Sequence, residues 1–106
     1  MELEEYTHSH YEVASFAKAI AHPARIAILE ALLEKKECVC GDLVEVLPLA
    51  QSTVSQHLKA LKQIGIIKGT INGVSTCYCI NEKVWGEMKY MFDQFFNQEI
   101  KQNNCC

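Results

Sequence analysis

Long apolar runs are missing from this chain of 106 residues, so no stretch of it approaches membrane-spanning length. The opening MELEEYTHSH has neither the basic start nor the apolar stretch of a secretory signal, and a cytosolic chain with reduced thiols is the expectation. There is no internal repeat and no low-complexity run. The two prolines and five glycines are too few to mark a linker, so a single domain over 1–106 is expected, with residues 1–8 and 101–106 as flexible ends. No nucleophile–base–acid constellation is visible, and the Cys-x-x-Cys spacing and βαβ pattern of a thiol oxidoreductase are both lacking, which argues against an enzyme. One further absence is local. Residues 46–81 contain no Asp or Glu, although the whole chain carries a net charge of −3. That third holds Lys59, Lys62 and Lys68 as its charged side chains, a small positive patch that can meet phosphates with weak, salt-sensitive affinity.

What is present reads as a series of helices and one hairpin. Tyr11, Val13, Phe16, Ala17 and Ile20 approximate helical spacing from Ser9 to Ala21. His22-Pro23 interrupts that helix and suits the first turn of a second, ARIAILEALLEKK, whose expected inner face is Ile26, Leu29, Leu32 and Leu33. A short extended piece, ECVC, precedes a brief helix DLVEVL that stops at Pro48. The next helix, STVSQHLKALKQI, has Ser52 as its expected N-cap and Val54, Leu58, Leu61 and Ile64 as its buried stripe. Gly65 is placed to end it in a left-handed conformation. IIKGTI and VSTCYCI flank Asn72-Gly73, a strong hairpin signal, and a long final helix runs from Asn81 towards Ile100. The order is mainly α with a small β-hairpin wing: a winged helix-turn-helix with an additional helix at each end.

In a helix-turn-helix the second helix enters the major groove, and its first side chains meet base edges. Here those are Gln51, Ser52, Thr53, Ser55, Gln56, His57 and Lys59, all able to bond bases or phosphates. Gln56 suits adenine, and Lys59 and Lys62 suit the phosphate backbone. Lys68, Thr70, Asn72 and Ser75 would belong to the wing. Double-stranded DNA is the expected partner. A winged-helix module that binds protein, with a structural zinc, is the alternative from another class.

The run AHPARIAILEALL…ECVCGDLVEVLPLAQSTVSQHLKALKQIGIIKG…GVSTCYCI resembles the ArsR/SmtB family of metal- and thiol-responsive bacterial repressors over roughly residues 12–81. The resemblance implies a homodimer joined through the first and last helices, a recognition helix at 52–64, and operator DNA released when an inducer binds. The residues support the dimer separately. Trp85, Met88, Met91, Phe92, Phe95 and Phe96 make more aromatic and methionine surface than a short chain can cover. Tyr11 and Phe16 would join them from the first helix.

Six cysteines remain. Cys38 and Cys40 match the position of a Cys-Val-Cys ligand pair in arsenic- and cadmium-type members of that family. The match is partial, because Gly41 follows Cys40 and Val44 stands where a third thiol would be. The last helix contains no histidine, so the family's other common zinc site is not expected. Strand alternation supplies further candidates. With an even hairpin loop, Ile67, Ile71, Val74, Tyr78 and Ile80 share the core face, while Lys68, Thr70, Ser75, Cys77 and Cys79 share the other. Cys38 and Cys40 would face the same way as Cys77 and Cys79, and Cys105 and Cys106 in the tail could complete a site. Such soft sulfurs suit arsenite, cadmium, lead or zinc as an inducer. Oxidants or persulfides acting on the same thiols are the alternative signal.

Overall fold

The computed structural model describes residues 5–35, 38–40, 47, 49–72 and 75–101. Helix α1 (His8–Ile20) and α2 (Pro23–Leu33) come first, then the short strand β1 (Val39–Cys40) and helix α3 (Gln51–Gln63). Strands β2 (Ile67–Asn72) and β3 (Ser75–Ile80) form the hairpin, and α4 (Glu82–Phe96) closes the order. The fold is a mostly helical winged helix-turn-helix. The brief helix expected before Pro48 lies outside the described residues, apart from Leu47, and so does Gly73.

Three of the four described helices start at a side-chain cap. Thr7 caps α1 in a reciprocal arrangement: its hydroxyl accepts from the His10 amide at 3.2 Å, and its own amide donates to His10 Nδ1 at 3.0 Å. Thr7 is therefore the N-cap of α1, and His8 is its first helical residue. His22 caps α2 through Nδ1, which accepts from the Ala24 amide at 3.0 Å, with Pro23 at the first helical position. Asn81 caps α4 through Oδ1. Helix α3 starts one residue earlier than expected. Ala50 occupies the cap position and has no side chain that can cap, so Ser52 sits inside the first turn.

The end of α3 follows the expectation. Gly65 has φ +90°, its amide bonds the Lys62 carbonyl at 3.0 Å, and the Ile66 amide reaches back to the Leu61 carbonyl at 3.1 Å. The Ile66 carbonyl then accepts from the Asn81 amide at 2.9 Å, tying the stop of α3 to the cap of α4.

The core gathers Phe16 of α1, Ile28, Leu29 and Leu32 of α2, Val54, Leu58 and Leu61 of α3, Ile66, Ile67, Val39, and Met88 of α4. The expected face of α2 is turned. Ala24, Ile28, Leu29 and Leu32 point inward, whereas Ile26 (42% exposed) and Leu33 (48%) point out. The inward set is spaced i, i+4, i+5, i+8, one continuous helical face. Truncating a fully buried member such as Leu61 to alanine costs about 2–5 kcal/mol.

The sheet is antiparallel in the order β1-β3-β2. Asn72 pairs with Ser75, so two residues separate the strands, and the even parity assumed from the sequence holds. Lys68 stands opposite Cys79 and Thr70 opposite Cys77, while Val39 pairs with Tyr78 and Cys40 with Cys77.

Candidate functional site

Ser52, Ser55, Gln56, Lys59 and Lys62 are exposed on α3, and Thr53 is half-buried. The exposed five recur at i, i+3, i+4, i+7 and i+10, so they form a single polar face opposite the stripe of Val54, Leu58 and Leu61. No acid lies in the first turn of α3, which leaves the positive end of the helix dipole uncompensated from within the helix. Lys68 and Thr70 are exposed on β2. The side chains of Gln51, Asn72 and Ser75 are outside the described set. Gly69 allows the base of the wing to close against α3: a Cβ there would stand 3.2 Å from the Tyr78 ring and 3.3 Å from Lys62 Nζ.

His57 departs from the expected outward face. It is only 9% exposed and lies against α2. Arg25 Nε donates to its Nδ1 at 3.0 Å, and Arg25 Nη1 donates to the Ala19 carbonyl at 2.8 Å. The His22 ring lies 4.4 Å from the His57 ring. Burial, with the nearby charges of His22 and Arg25, pushes the His57 pKa below its ordinary value. An accepted bond at Nδ1 goes with the neutral ring carrying its proton on Nε2. His57 thus holds α3 to the α1–α2 corner and does not present its ring to a groove. A signal for this was in the sequence, since Val54, His57, Leu58 and Leu61 complete an i, i+3, i+4, i+7 inner face. Arg25 was not singled out, because its partners are 6 and 32 residues away in sequence.

The aromatic face divides in two. Phe16 and Met88 lie in the chain's own core, so they are not available to a second copy, and Trp85, Met91 and Phe92 are half-buried against that core. Tyr11, Phe95 (53% exposed) and Phe96 (73%) remain open. Tyr6 and Tyr90, which the sequence reading passed over, are exposed as well, with the Tyr6 ring edge-on to Tyr11 at 5.8 Å.

The thiols assemble across the sheet. Cys38 is exposed, Cys79 is half-buried, and the two are joined by a disulfide across a Cα separation of 4.5 Å. The expectation of reduced thiols is revised for these two and for Cys77. The register explains the bond: antiparallel pairing of Val39 with Tyr78 sets Cys38 beside Cys79 on the outer face. Cys77 is 5% exposed and is itself disulfide-bonded. The Cys40 side chain, Cys105 and Cys106 lie outside the described residues. Among the described residues, no three His, Cys, Asp or Glu side chains come together in a way that could hold a metal ion. Cys38 and Cys79 supply two sulfurs for a soft ion only after their bond is reduced, and a trigonal site needs a third.

The sequence profile described as "Bacterial regulatory protein, arsR family" matches residues 22–68. The chain is similar to the HTH-type transcriptional repressor SmtB of Mycobacterium tuberculosis (strain CDC 1551 / Oshkosh), 44% identical over 61 residues. Those residues are 58% of this chain and 44% of that repressor, so the match spans less than half of the relative's length. It is 31% identical over 75 residues to the arsenical resistance operon repressor of Staphylococcus xylosus, covering 71% of each chain. Among solved structures it is similar to the transcriptional repressor BigR from Xylella fastidiosa, with a TM-score of 0.65 and 26% identity. That likeness covers 93% of this chain and 100% of the other.

Proposed function

The chain belongs to the arsR family of bacterial regulatory proteins, and on that footing we propose that it is a homodimeric, operator-binding transcriptional repressor switched by its own thiols. The three named proteins that it resembles are all repressors by name. Ser52, Ser55 and Gln56 read base edges, Lys59, Lys62 and Lys68 bind phosphates, and Thr70 contacts the neighbouring groove. Two copies meet through α1 and α4, with Tyr11, Phe95 and Phe96 at the joint, and read half-sites about one helical turn apart. Double-stranded DNA and a second copy are the partners, and the cytoplasm is the location. Among the described residues no helix is long and apolar enough to cross a membrane.

The observation that carries the switch is the bond from Cys38 to Cys79. It fastens the strand between α2 and the helix-turn-helix to the wing itself. In this reading the reduced protein holds its operator and the bonded form lets go. A coupling of about 1–3 kcal/mol changes affinity by roughly 5–150-fold. A gel shift on DNA upstream of its own gene, run with reductant and then with a mild oxidant, tests this. Equal affinity in both states, or an unchanged oxidant response in Cys38→Ser and Cys79→Ser, overturns the switch.

A second reading keeps the same thiols and replaces oxidation with a thiophilic ion of the arsenite, cadmium, lead or zinc type. What favours it is the Cys38-Val39-Cys40 run opposite Cys79 and Cys77 in the register. The same gel shift with each ion added to reduced protein decides it. Release by an ion, lost in Cys38→Ser, supports this reading, and release by oxidant alone removes it.

A further inference from the structure

We propose that the cavity beside the Cys38–Cys79 bond is a binding site for a small carboxylate-bearing thiol, which opens the bond by exchange. The proposal rests on the thiol-switch reading above and names the reductant that resets it. The cavity has a volume of about 650 Å³, within the usual range for small-molecule sites. Both bonded cysteines, Cys38 and Cys79, line it. Lys35, two residues past α2, and Lys68, from β2, contribute the cations, and Glu82 the carboxylate. The described lining is therefore left with one positive charge in excess. Leu33 and Trp85 add an apolar wall, which accounts for a leucine that the core leaves exposed. Cations, an apolar wall and a reducible bond together match a molecule with an anionic end, a short apolar body and a thiol.

The chemistry is a two-step exchange. The thiolate of the ligand attacks Cys38 Sγ, the more exposed sulfur. A new bond forms between ligand sulfur and Cys38, and Cys79 leaves as a thiolate. Lys68 stands opposite Cys79 across the β2–β3 ladder, where its charge favours that departure. A second thiolate then attacks the ligand's sulfur, releasing Cys38 as a thiolate and the ligand as its own disulfide. Two thiols are oxidised, one protein disulfide is reduced, and the electrons balance.

The test uses the full chain in its disulfide form. Bond opening is followed by alkylation and mass spectrometry with glutathione (anionic), mercaptoethanol (neutral) and cysteamine (cationic), compared per thiolate. Glutathione should open the bond about tenfold faster than mercaptoethanol, with a rate that saturates with concentration. Lys35→Ala should reduce that preference. Gly86→Phe should abolish saturation without touching a sulfur or a lysine, because Gly86 lies on the cavity wall and a Cβ there meets nothing within 4 Å. Linear kinetics with equal constants for the three thiols, or a glutathione preference that survives both variants, overturns the site. Operator affinity of the two redox forms is measured in parallel. Identical affinities refute the switch and leave the exchange kinetics to stand or fall by themselves, while a redox-dependent affinity without thiol preference refutes the cavity alone.

Discussion

Acid should loosen this fold through His57 in particular. The folded protein favours the neutral ring, because burial and the charges of His22 and Arg25 lower its pKa below the ordinary 6.5. The unfolded chain therefore binds more protons than the folded one once pH falls below about 6.5. Stability attributable to this residue is intact above that pH, declines below it, and levels off beneath the folded-state pKa. A single proton sets the steepest slope at about 1.4 kcal/mol per pH unit. Protonation also forces Nδ1 to give up the Arg25 bond of 3.0 Å. His57→Gln offers Arg25 an acceptor without a titration, so its stability should vary less with pH than the wild type's between pH 7.5 and 5. His57→Leu fits the apolar stripe but leaves Arg25 Nε without its acceptor, a loss of about 1.5–3 kcal/mol for a hydrogen bond to a charged group. Urea unfolding at fixed protein concentration, followed by circular dichroism across that range, measures both effects. Parallel pH profiles for wild type and His57→Gln would falsify the assignment, and so would His57→Leu unfolding at the wild-type midpoint at pH 7.5.

Three further outcomes are expected. Gly65→Ala places a side chain at φ +90° and should lower stability by about 1–2 kcal/mol in the same urea assay. On the operator, Gln56→Ala should cost about 1–3 kcal/mol and relax preference at one base position, whereas Lys59→Ala should weaken all sequences alike and flatten the salt dependence by about one unit; fluorescence anisotropy at several salt concentrations separates them. Replacing both Phe95 and Phe96 with aspartate should convert a dimer to a monomer in sedimentation while far-UV dichroism is retained, and a monomeric wild type would refute that role for the exposed rings.

The punctuation of this fold was written in single residues. Gly65 could be placed because its conformation is costly for any other side chain, and the hairpin parity followed from the Asn72-Gly73 pair and the two-residue period of strands. The inner face of α2 could not be read in the same way. Its apolar residues surround the helix, so the sequence supplies no direction, and tertiary contact chose Ile28 over Ile26. His57 was misread because imidazole suits a groove and a core equally well, and its partner Arg25 is fixed only once α2 and α3 meet. Phe16 and Met88 look like interface residues by type, yet a thin core needs them first. For the thiols, alternation gave the shared face of Cys38 and Cys79, while their oxidation state is a matter of surroundings that residue order does not encode.

One amide joins the two ends of the working parts. Asn81 gives its backbone hydrogen to Ile66 and its side chain to the first turn of α4. Under the proposed function, that hydrogen bond ties the end of the reading helix α3 directly to the start of the pairing helix α4. In a two-fold pair, any swing of one reading helix must tilt the shared seam and shift its twin. Such a gauge tolerates one spacing of operator halves, and inserting a few base pairs between them should defeat binding even when every contacted base is kept.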